Sequence, residues 1–230
     1  MKNIHPFPAR MAPDAIAHLV DKLPIDATIL DPMCGSGVVL RVALTSGRRA
    51  LGFDIDPLSV LMSKVWTRTK SVATAQKRAE EIAEKAAAMP MSGIKLPWID
   101  RCSETRDFIN FWFANRQRRD LRRLSARLFY NLDSLDTHIR DCLWLALSRT
   151  IVTKQVGATL AWDVSHSRPH KKRTDNNFDV LENFVRAASQ ISNFMSEDRL
   201  GLSGRVKRGD CRSLPLKHTV RVDAVITSPS

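Results

Sequence analysis

Residues 27–45, ATILDPMCGSGVVLRVALT, decide the fold that the chain predicts. The apolar run Ala27–Leu30 predicts a short strand, which ends at Asp31-Pro32. A turn that contains two glycines follows, and the apolar residues from about Val38 to Thr45 then predict a helix. A strand joined to a helix by so short a turn is typical of a parallel sheet covered by helices.

The same order of elements repeats downstream. Ala50–Phe53 predicts a second strand that ends at Asp54, and Pro57 opens a helix that runs to about Trp66. Strands that alternate with helices through short connections lie parallel in one sheet. We therefore predict an α/β protein.

The centre of the chain has a different pattern. Residues 71–200 place their apolar side chains mostly at helical spacing, and strand character returns only at Arg205–Arg208 and Val222–Ile226. We therefore predict a Rossmann-like sheet of about four strands. It is built from residues 1–70 and 201–230 and is interrupted by a helical insertion over residues 71–200.

Composition limits the class of protein. The chain has 230 residues, of which 43% are hydrophobic, enough for one good core. No apolar run reaches the roughly 20 residues that cross a membrane, so we expect no membrane partner. The cysteines are widely spaced, which disfavours a disulfide framework and a zinc site; they are Cys34, Cys102, Cys142 and Cys211. We expect no metal and a cytoplasmic location.

Charge is the most informative bulk property. The chain has 36 Lys and Arg against 24 Asp and Glu, a net charge of +12, and a pI near 10.1. Such a balance favours a polyanionic partner, because binding to a phosphate backbone releases counterions. A basic surface without a partner is the alternative.

The turn Asp31–Gly37 and the acid Asp54 together predict a nucleotide site. Glycines let a ligand approach the backbone closely, and the first amides of a helix attract negative or polar groups. A carboxylate at the end of the next strand can accept both hydroxyls of a ribose. Asp56 can instead cap the helix that follows.

Two features disfavour a nicotinamide dinucleotide as the ligand. The third glycine of that fingerprint is replaced by Leu40, and Asp31 would repel a pyrophosphate. The same carboxylate would attract the ammonium of an amino acid. S-adenosylmethionine carries a ribose, an adenine and an amino-acid tail but no phosphate, so the residues favour it.

Four segments make the interpretation more specific: DPMCGSG (31–37), GFDIDP (52–57), RGDCRSLPL (208–216) and DAVITSPS (223–230). In this order they resemble the motif series of the DNA amino-methyltransferases, which make N6-methyladenine or N4-methylcytosine. The opening HPFPARMAP also resembles the segment before the first strand in members with this motif order. The resemblance covers roughly residues 5–66 and 204–230 and implies a Rossmann-like methyltransferase sheet.

The resemblance implies a role for each matching residue. The first turn would surround the methionine part, Asp54 would hold the ribose, and Asp210 would accept from the adenine amino group. The implied cofactor-binding residues are Asp31, Met33, Cys34, Gly35, Gly37, Asp54, Ile55, Asp210 and Cys211. In the alternative interpretation the glycines only form turns and the aspartates only cap helices. We expect both cysteines of this set to contribute packing rather than thiolate chemistry.

The resemblance places the start of the catalytic loop at Ser228-Pro229. In the family, this loop reads Ser, Asp or Asn, then two prolines and an aromatic residue. Its first side chain accepts hydrogen bonds from the target amine, and the aromatic ring stacks on the flipped base. Here Ser230 replaces the second proline and is the last residue, and about four of the family's seven strands are present. We therefore expect part of a longer or split enzyme, whose partner is the missing C-terminal half or a second copy.

The function that the resemblance implies is S-adenosylmethionine-dependent DNA methylation, as in restriction–modification. Ser228 favours cytosine N4 over adenine N6 as the target. An RNA methyltransferase is a rival, but its loop usually opens with Asn or Asp. A truncated, non-catalytic module that binds the cofactor or nucleic acid is the alternative from another class.

Two basic segments are candidate DNA contacts. Residues 116–127 contain six arginines, among them Arg119 and Arg123, and residues 165–173 form a basic segment without apolar periodicity. The predicted contacts in the second segment are Arg168, Lys171, Lys172 and Arg173. The alternatives are a solvated helix face and a flexible basic loop. Phe111 and Trp112 lie in an apolar cluster, so we expect them to be core rather than base-stacking residues.

Overall fold

The computed structural model describes residues 4–6, 11–69, 74–130, 135–151, 157–161, 171, 173–197, 200–216 and 219–227. The chain divides into two compact units. One consists of Met1–Ser71 and Phe194–Ser230, and the other of Val72–Asn193. The roles that the sequence suggests for these parts of the chain stay predictions.

The first unit contains a four-stranded sheet in the order β3-β2-β1-β4. Its strands are β1 (Thr28–Asp31), β2 (Arg49–Asp54), β3 (Arg205–Arg208) and β4 (Ala224–Val225). Each pair of neighbours is parallel. The predicted α/β class and the number of strands are confirmed, and the topology is compatible with a Rossmann-like fold.

The last strand is shorter than predicted, because only Ala224–Val225 of the apolar run 222–226 pairs as a strand. The flanking residues still contact β1: the Asp223 carboxylate accepts from the Thr28 amide at 2.9 Å, and the Ile226 amide donates to Leu30. Val225 remains 59% exposed. Among the described strands, β4 is therefore a weakly paired edge.

Three helices accompany the sheet: α1 (Pro13–Val20), α2 (Val38–Thr45) and α3 (Pro57–Trp66). The Asp56 carboxylate caps α3 by accepting from the Leu58 amide at 3.0 Å, which confirms the capping role considered for it. Helix α2 is buried over nearly its whole length. Its fully buried Arg41 donates from Nη1 to the Trp66 carbonyl at 2.8 Å, so that the guanidinium has a polar partner inside the core.

Helix α2 and strand β2 are in close contact at Gly52. A Cβ atom at this position would lie 2.4 Å from Cδ1 of Leu40 and 3.3 Å from the Cys34 side chain. A side chain larger than hydrogen fits there only if the Leu40 side chain moves. The close helix–strand contact therefore depends on a glycine in the strand, which makes room for the leucine in the helix.

The second unit is helical within its described residues. Its helices are α4 (Ala75–Ala87), α5 (Pro97–Asp100), α6 (Ser103–Trp112), α7 (Asn115–Tyr130), α8 (Thr137–Ile151) and α9 (Val180–Glu197), the last of which extends into the first unit from Phe194. The apolar stripes of α7 and α8 are buried, with Leu124 and Leu143 fully inaccessible. Phe184 of α9 is fully buried as well.

The expectation that Phe111 and Trp112 form core is wrong for Phe111. Its side chain is 52% exposed, and Trp112 is only partly buried. The reason is the position of α6, which has no fully buried residue and lies at the surface of its unit. The two rings contact each other edge to face, with 4.9 Å between their centroids. None of the described helices is both long and apolar enough to cross a membrane.

Gly52→Ala is expected to lower the free energy of unfolding by about 1–3 kcal/mol, because the added methyl group overlaps with Leu40. The measurement is urea denaturation of both proteins. Gly201→Ala is the matched control, because a Cβ atom there would meet nothing within 4 Å. Equal stability of the two variants would contradict the close helix–strand contact.

Candidate functional site

Four polar residues lie at or just after the ends of the four strands, at one edge of the sheet. Asp31 ends β1, Asp54 ends β2, Asp210 comes two residues after β3, and Thr227 comes two residues after β4. Because the strands are parallel, their carboxyl ends lie at the same edge. The Gly209 amide also donates to the Asp54 carbonyl at 3.0 Å, which ties the chain after β3 to the end of β2.

The glycine-bearing turn is fixed to the end of β2 by hydrogen bonds. The Cys34 amide donates to the Phe53 carbonyl at 2.8 Å, and the Gly35 amide donates to the Asp54 carboxylate at 2.8 Å. Gly35 has φ +50° and Gly37 has φ +84°, a region that other residues rarely adopt. The turn therefore has one defined shape that needs both glycines.

The start of α2 has no side-chain cap. Gly37 is the N-cap residue, and its position provides no side-chain cap for the first amides of the helix. Ser63 of α3 lies directly beneath it: a Cβ atom on Gly37 would come within 2.7 Å of its hydroxyl oxygen. That hydroxyl donates to the Gly35 carbonyl at 3.0 Å. The first amides of α2 can therefore donate hydrogen bonds to a carboxylate.

Asp54 is half-buried and holds two backbone segments at once. Its Oδ2 accepts from the Gly35 amide, and its Oδ1 accepts from the Asp56 amide at 2.9 Å. Two carboxylate oxygens offer about four acceptor positions, so capacity remains for hydroxyl groups of a ligand. Ile55 beside it is 62% exposed, which leaves an apolar surface next to the acid.

Asp31 is a buried carboxyl group with an altered acidity. Its side chain is 2% exposed, and burial raises its pKa to about 6, with a smaller contribution from the negative charge of Asp54. The Met33 amide, which donates to it at 3.2 Å, opposes the rise. The Thr227 hydroxyl lies near enough to lower the pKa too, but it makes no hydrogen bond of normal geometry. A buried acid with a perturbed pKa is typical of functional sites.

Asp210 is held by a neighbour that sequence reasoning did not include. The Arg212 guanidinium binds its carboxylate through two nitrogens, with Nη2 at 2.6 Å and Nε at 3.0 Å. This hydrogen-bonded cation lowers the pKa of Asp210 to about 2. The Arg212 side chain is 83% exposed, and the adjacent Cys211 is exposed as well.

The thiol of Cys34 is not available for nucleophilic chemistry. The side chain is buried, and that burial raises its pKa to about 12. The group is therefore protonated at neutral pH, whereas a nucleophilic cysteine acts as the thiolate. Its contribution to this edge is packing against Gly52, together with its backbone bond to Phe53.

A cavity of about 710 Å³ opens at the opposite edge of the same sheet. It is lined by the first residues of strands, including Thr28, Arg49 and Arg205. None of the residues predicted to bind a cofactor lines it. The candidate site and this cavity therefore lie at opposite edges of the sheet.

The predicted nucleic-acid residues have different environments. Arg119 is exposed, with no ion pair among the described residues, whereas Arg123 pairs with Asp120 at 3.4 Å. Lys171 lies over the Phe111 ring, 5.0 Å from its centroid. Arg173 is partly buried. Arg168, Lys172 and the predicted catalytic residues Ser228 and Pro229 lie outside the described residues.

No group of three or more metal-ligating side chains occurs within the part of the chain that the structure describes. In comparisons with protein-family models, curated proteins and solved structures, none matches this chain. Its fold and its site chemistry therefore carry the functional argument.

Asp31→Asn is expected to stabilise the protein by about 1–3 kcal/mol at pH 7.5. The folded carboxyl group binds its proton more tightly than the unfolded one, with a pKa of about 6 against 3.8. The contribution of this group to the free energy of unfolding is therefore most favourable below pH 4. It becomes less favourable as the pH rises from 4 to 6. Asn keeps an acceptor for the Met33 amide and removes the charge.

The measurement is urea denaturation of the wild type and the variant at pH 4 and at pH 7.5. The free energy of unfolding of the variant should exceed that of the wild type mainly at pH 7.5. A variant that is equally or less stable at pH 7.5 would show that burial of the carboxylate is not the dominant effect.

Proposed function

We propose that the carboxyl-terminal edge of the sheet binds S-adenosylmethionine, and that the chain belongs to an enzyme that methylates an exocyclic amine of a DNA base. The observation that carries the proposal is the pairing of a buried acid, Asp31, with a glycine turn that a second acid, Asp54, holds in place. A buried carboxylate lowers the stability of the fold. Binding of a positively charged ligand group would account for its presence.

The residues of this edge fit the parts of the cofactor. The ammonium of the methionine part would pair with Asp31, and its carboxylate would meet the uncapped amides of α2. The ribose hydroxyls would donate to the remaining acceptor positions of Asp54. The adenine ring would pack against the exposed side chain of Ile55.

Asp210 fits only after a local change. Its proposed role is to accept from the adenine amino group, but Arg212 holds that carboxylate in the structure. The Arg212 side chain is largely exposed, and exposed ion pairs contribute little net stability, so the guanidinium can turn into solvent at small cost. The proposal therefore requires Arg212 to move when adenine binds.

When bound, S-adenosylmethionine supplies an electrophilic methyl group. The protein's task is to position the target amine, and Ser228 with neighbouring carbonyl groups would accept hydrogen bonds from it. The base must first leave the DNA helix. The serine favours cytosine N4 over adenine N6. This part rests on the resemblance of the residues after Thr227, whereas the cofactor part rests on the described site.

DNA is the partner that the charge favours. A net charge of +12 supports binding to a phosphate backbone, and Arg119 offers an exposed guanidinium without an ion pair among the described residues. The cytoplasmic location, and a further chain segment or second copy as a partner, stay predictions.

Asp54→Ala is expected to abolish both binding of S-adenosylmethionine and transfer of its labelled methyl group to unmethylated DNA. The variant loses the ribose acceptor and the bond that fixes Gly35. The measurements are isothermal titration calorimetry and label incorporation into DNA. Asp26→Ala is the matched control, because this exposed acid lies at the opposite edge of the sheet.

Label that appears in DNA and disappears in the Asp54 variant alone would support the enzyme, and digestion of the DNA would identify the base. Cofactor binding without transfer would favour the non-catalytic module. Absence of binding in a protein that melts cooperatively would refute the proposed site.

Cofactor binding is also expected to weaken at low pH. Below the Asp31 pKa of about 6, protonation removes the charge that attracts the ammonium group. Affinity should fall roughly tenfold for each pH unit below that value. Titration at pH 7.5 and pH 5 tests this, and Asp31→Asn should bind weakly at both values. An affinity of the wild type that does not change with pH would exclude a charge-based role for Asp31.

A further inference from the structure

The helical unit contains a cavity of about 460 Å³ between α5, α6 and α7, separate from the site proposed above. Such a volume lies in the range of small-ligand pockets. Its apolar lining includes Ile99, Ile109, Phe113 and Leu121, the last two of which are almost fully buried. The floor therefore suits a flat apolar group.

Four arginines and one acid contribute to the same lining: Arg106, Arg118, Arg119, Arg122 and Asp100. The acid is already engaged, because both Asp100 oxygens accept from Arg122, at 2.7 and 2.9 Å, and one also accepts from the Leu96 amide. One carboxylate faces four guanidinium groups, so the lining keeps a net positive charge even though the Leu96 amide, Arg122 and Arg106 all lower the pKa of Asp100.

The other three arginines form no close ion pair within the described part of the chain, although Arg106 lies near enough to the Asp100 carboxylate to help lower its pKa. Arg106 donates to the backbone carbonyl of Asp100, and Arg118 donates to the side-chain oxygen of Asn110. The Arg119 side chain makes no hydrogen bond to any described residue. The Nε atom of Arg118 is buried without an acceptor, which is an unfavourable state that a bound anion or carbonyl group would relieve.

We propose that this cavity binds one unstacked nucleotide of a single-stranded DNA segment. The base would lie on the apolar floor, and the adjoining phosphates would meet Arg106 and Arg119 at the rim. Asn110 and Ser125, which also line the cavity, offer hydrogen bonds to base edges. A purely apolar partner would leave the three cations unused, and a purely inorganic anion would leave the floor unused.

Helix α7 provides a matched pair of residues for a test. Arg119 lines the cavity, whereas Arg116 lies on the same helix outside the lining and pairs with Asp179 at 3.1 Å. Arg119→Gln and Arg116→Gln change the net charge equally. Because general attraction to a polyanion depends on charge, it should weaken similarly in both variants.

The experiment is fluorescence anisotropy of the whole chain with a labelled single-stranded oligonucleotide at one fixed salt concentration. Arg119→Gln is expected to bind about tenfold more weakly than the wild type, the loss typical of a charge-assisted hydrogen bond. Arg116→Gln should stay within about twofold. Equal losses in the two variants would overturn the proposal, leaving only a diffuse basic surface.

Occupancy by the base is tested by filling the cavity and by removing the base. Ser125→Phe places a ring in the cavity and should weaken binding, and the wild type should bind an abasic oligonucleotide more weakly than the normal one. If Ser125→Phe retains cooperative melting and the affinity of the wild type, the base does not enter the cavity. If Ser125→Phe does not fold, the comparison of Arg119→Gln with Arg116→Gln still tests the proposal.

The outcome is independent of methyl transfer. Binding of single-stranded DNA is measured without S-adenosylmethionine, and binding of S-adenosylmethionine is measured without DNA. Failure of the cofactor proposal would therefore not affect this measurement, and failure of the cavity proposal would not affect cofactor binding.

Discussion

The hydrogen bond between the Gly35 amide and the Asp54 carboxylate joins the two halves of the candidate site. It fixes the turn after β1 against the end of β2, and it requires the backbone conformation that glycine adopts most easily. That turn sets the direction of α2. It also sets the position of Asp31, which immediately precedes the turn. One carboxylate thus shapes the loop while retaining acceptor positions for a ligand.

Local patterns predicted much of the first unit. Short apolar runs ending in Asp31 and Asp54 gave correct positions for two strands, and Asp56 caps its helix as considered. Contacts that depend on two distant segments were not visible in this way. The fit of Leu40 against Gly52 joins a helix to the next strand, and neither residue alone indicates it. The Arg212–Asp210 pair is local, but it was missed because sequence spacing does not show whether an arginine two residues away turns onto the carboxylate or into solvent.

The sequence alone overestimated how many arginines of α7 are free of an acidic partner. The arginines of α7 look like one continuous basic stripe, but they differ once the chain is folded. Arg116 meets Asp179 and Arg122 meets Asp100, both brought from other segments, whereas Arg119 meets no acid among the described residues. Periodicity places side chains on faces of a helix, but it contains no information about which acid the fold brings to each face.

The buried Arg41 has a consequence for how the chain assembles. Helix α2 is too apolar and too short to persist in water, and its buried guanidinium donates to the Trp66 carbonyl at the end of α3. The burial of Arg41 therefore couples the stability of α2 to the position of α3. On a ribosome, residues 38–45 gain this contact only after residue 66 has emerged, so α2 cannot complete its native environment before α3 has been synthesised.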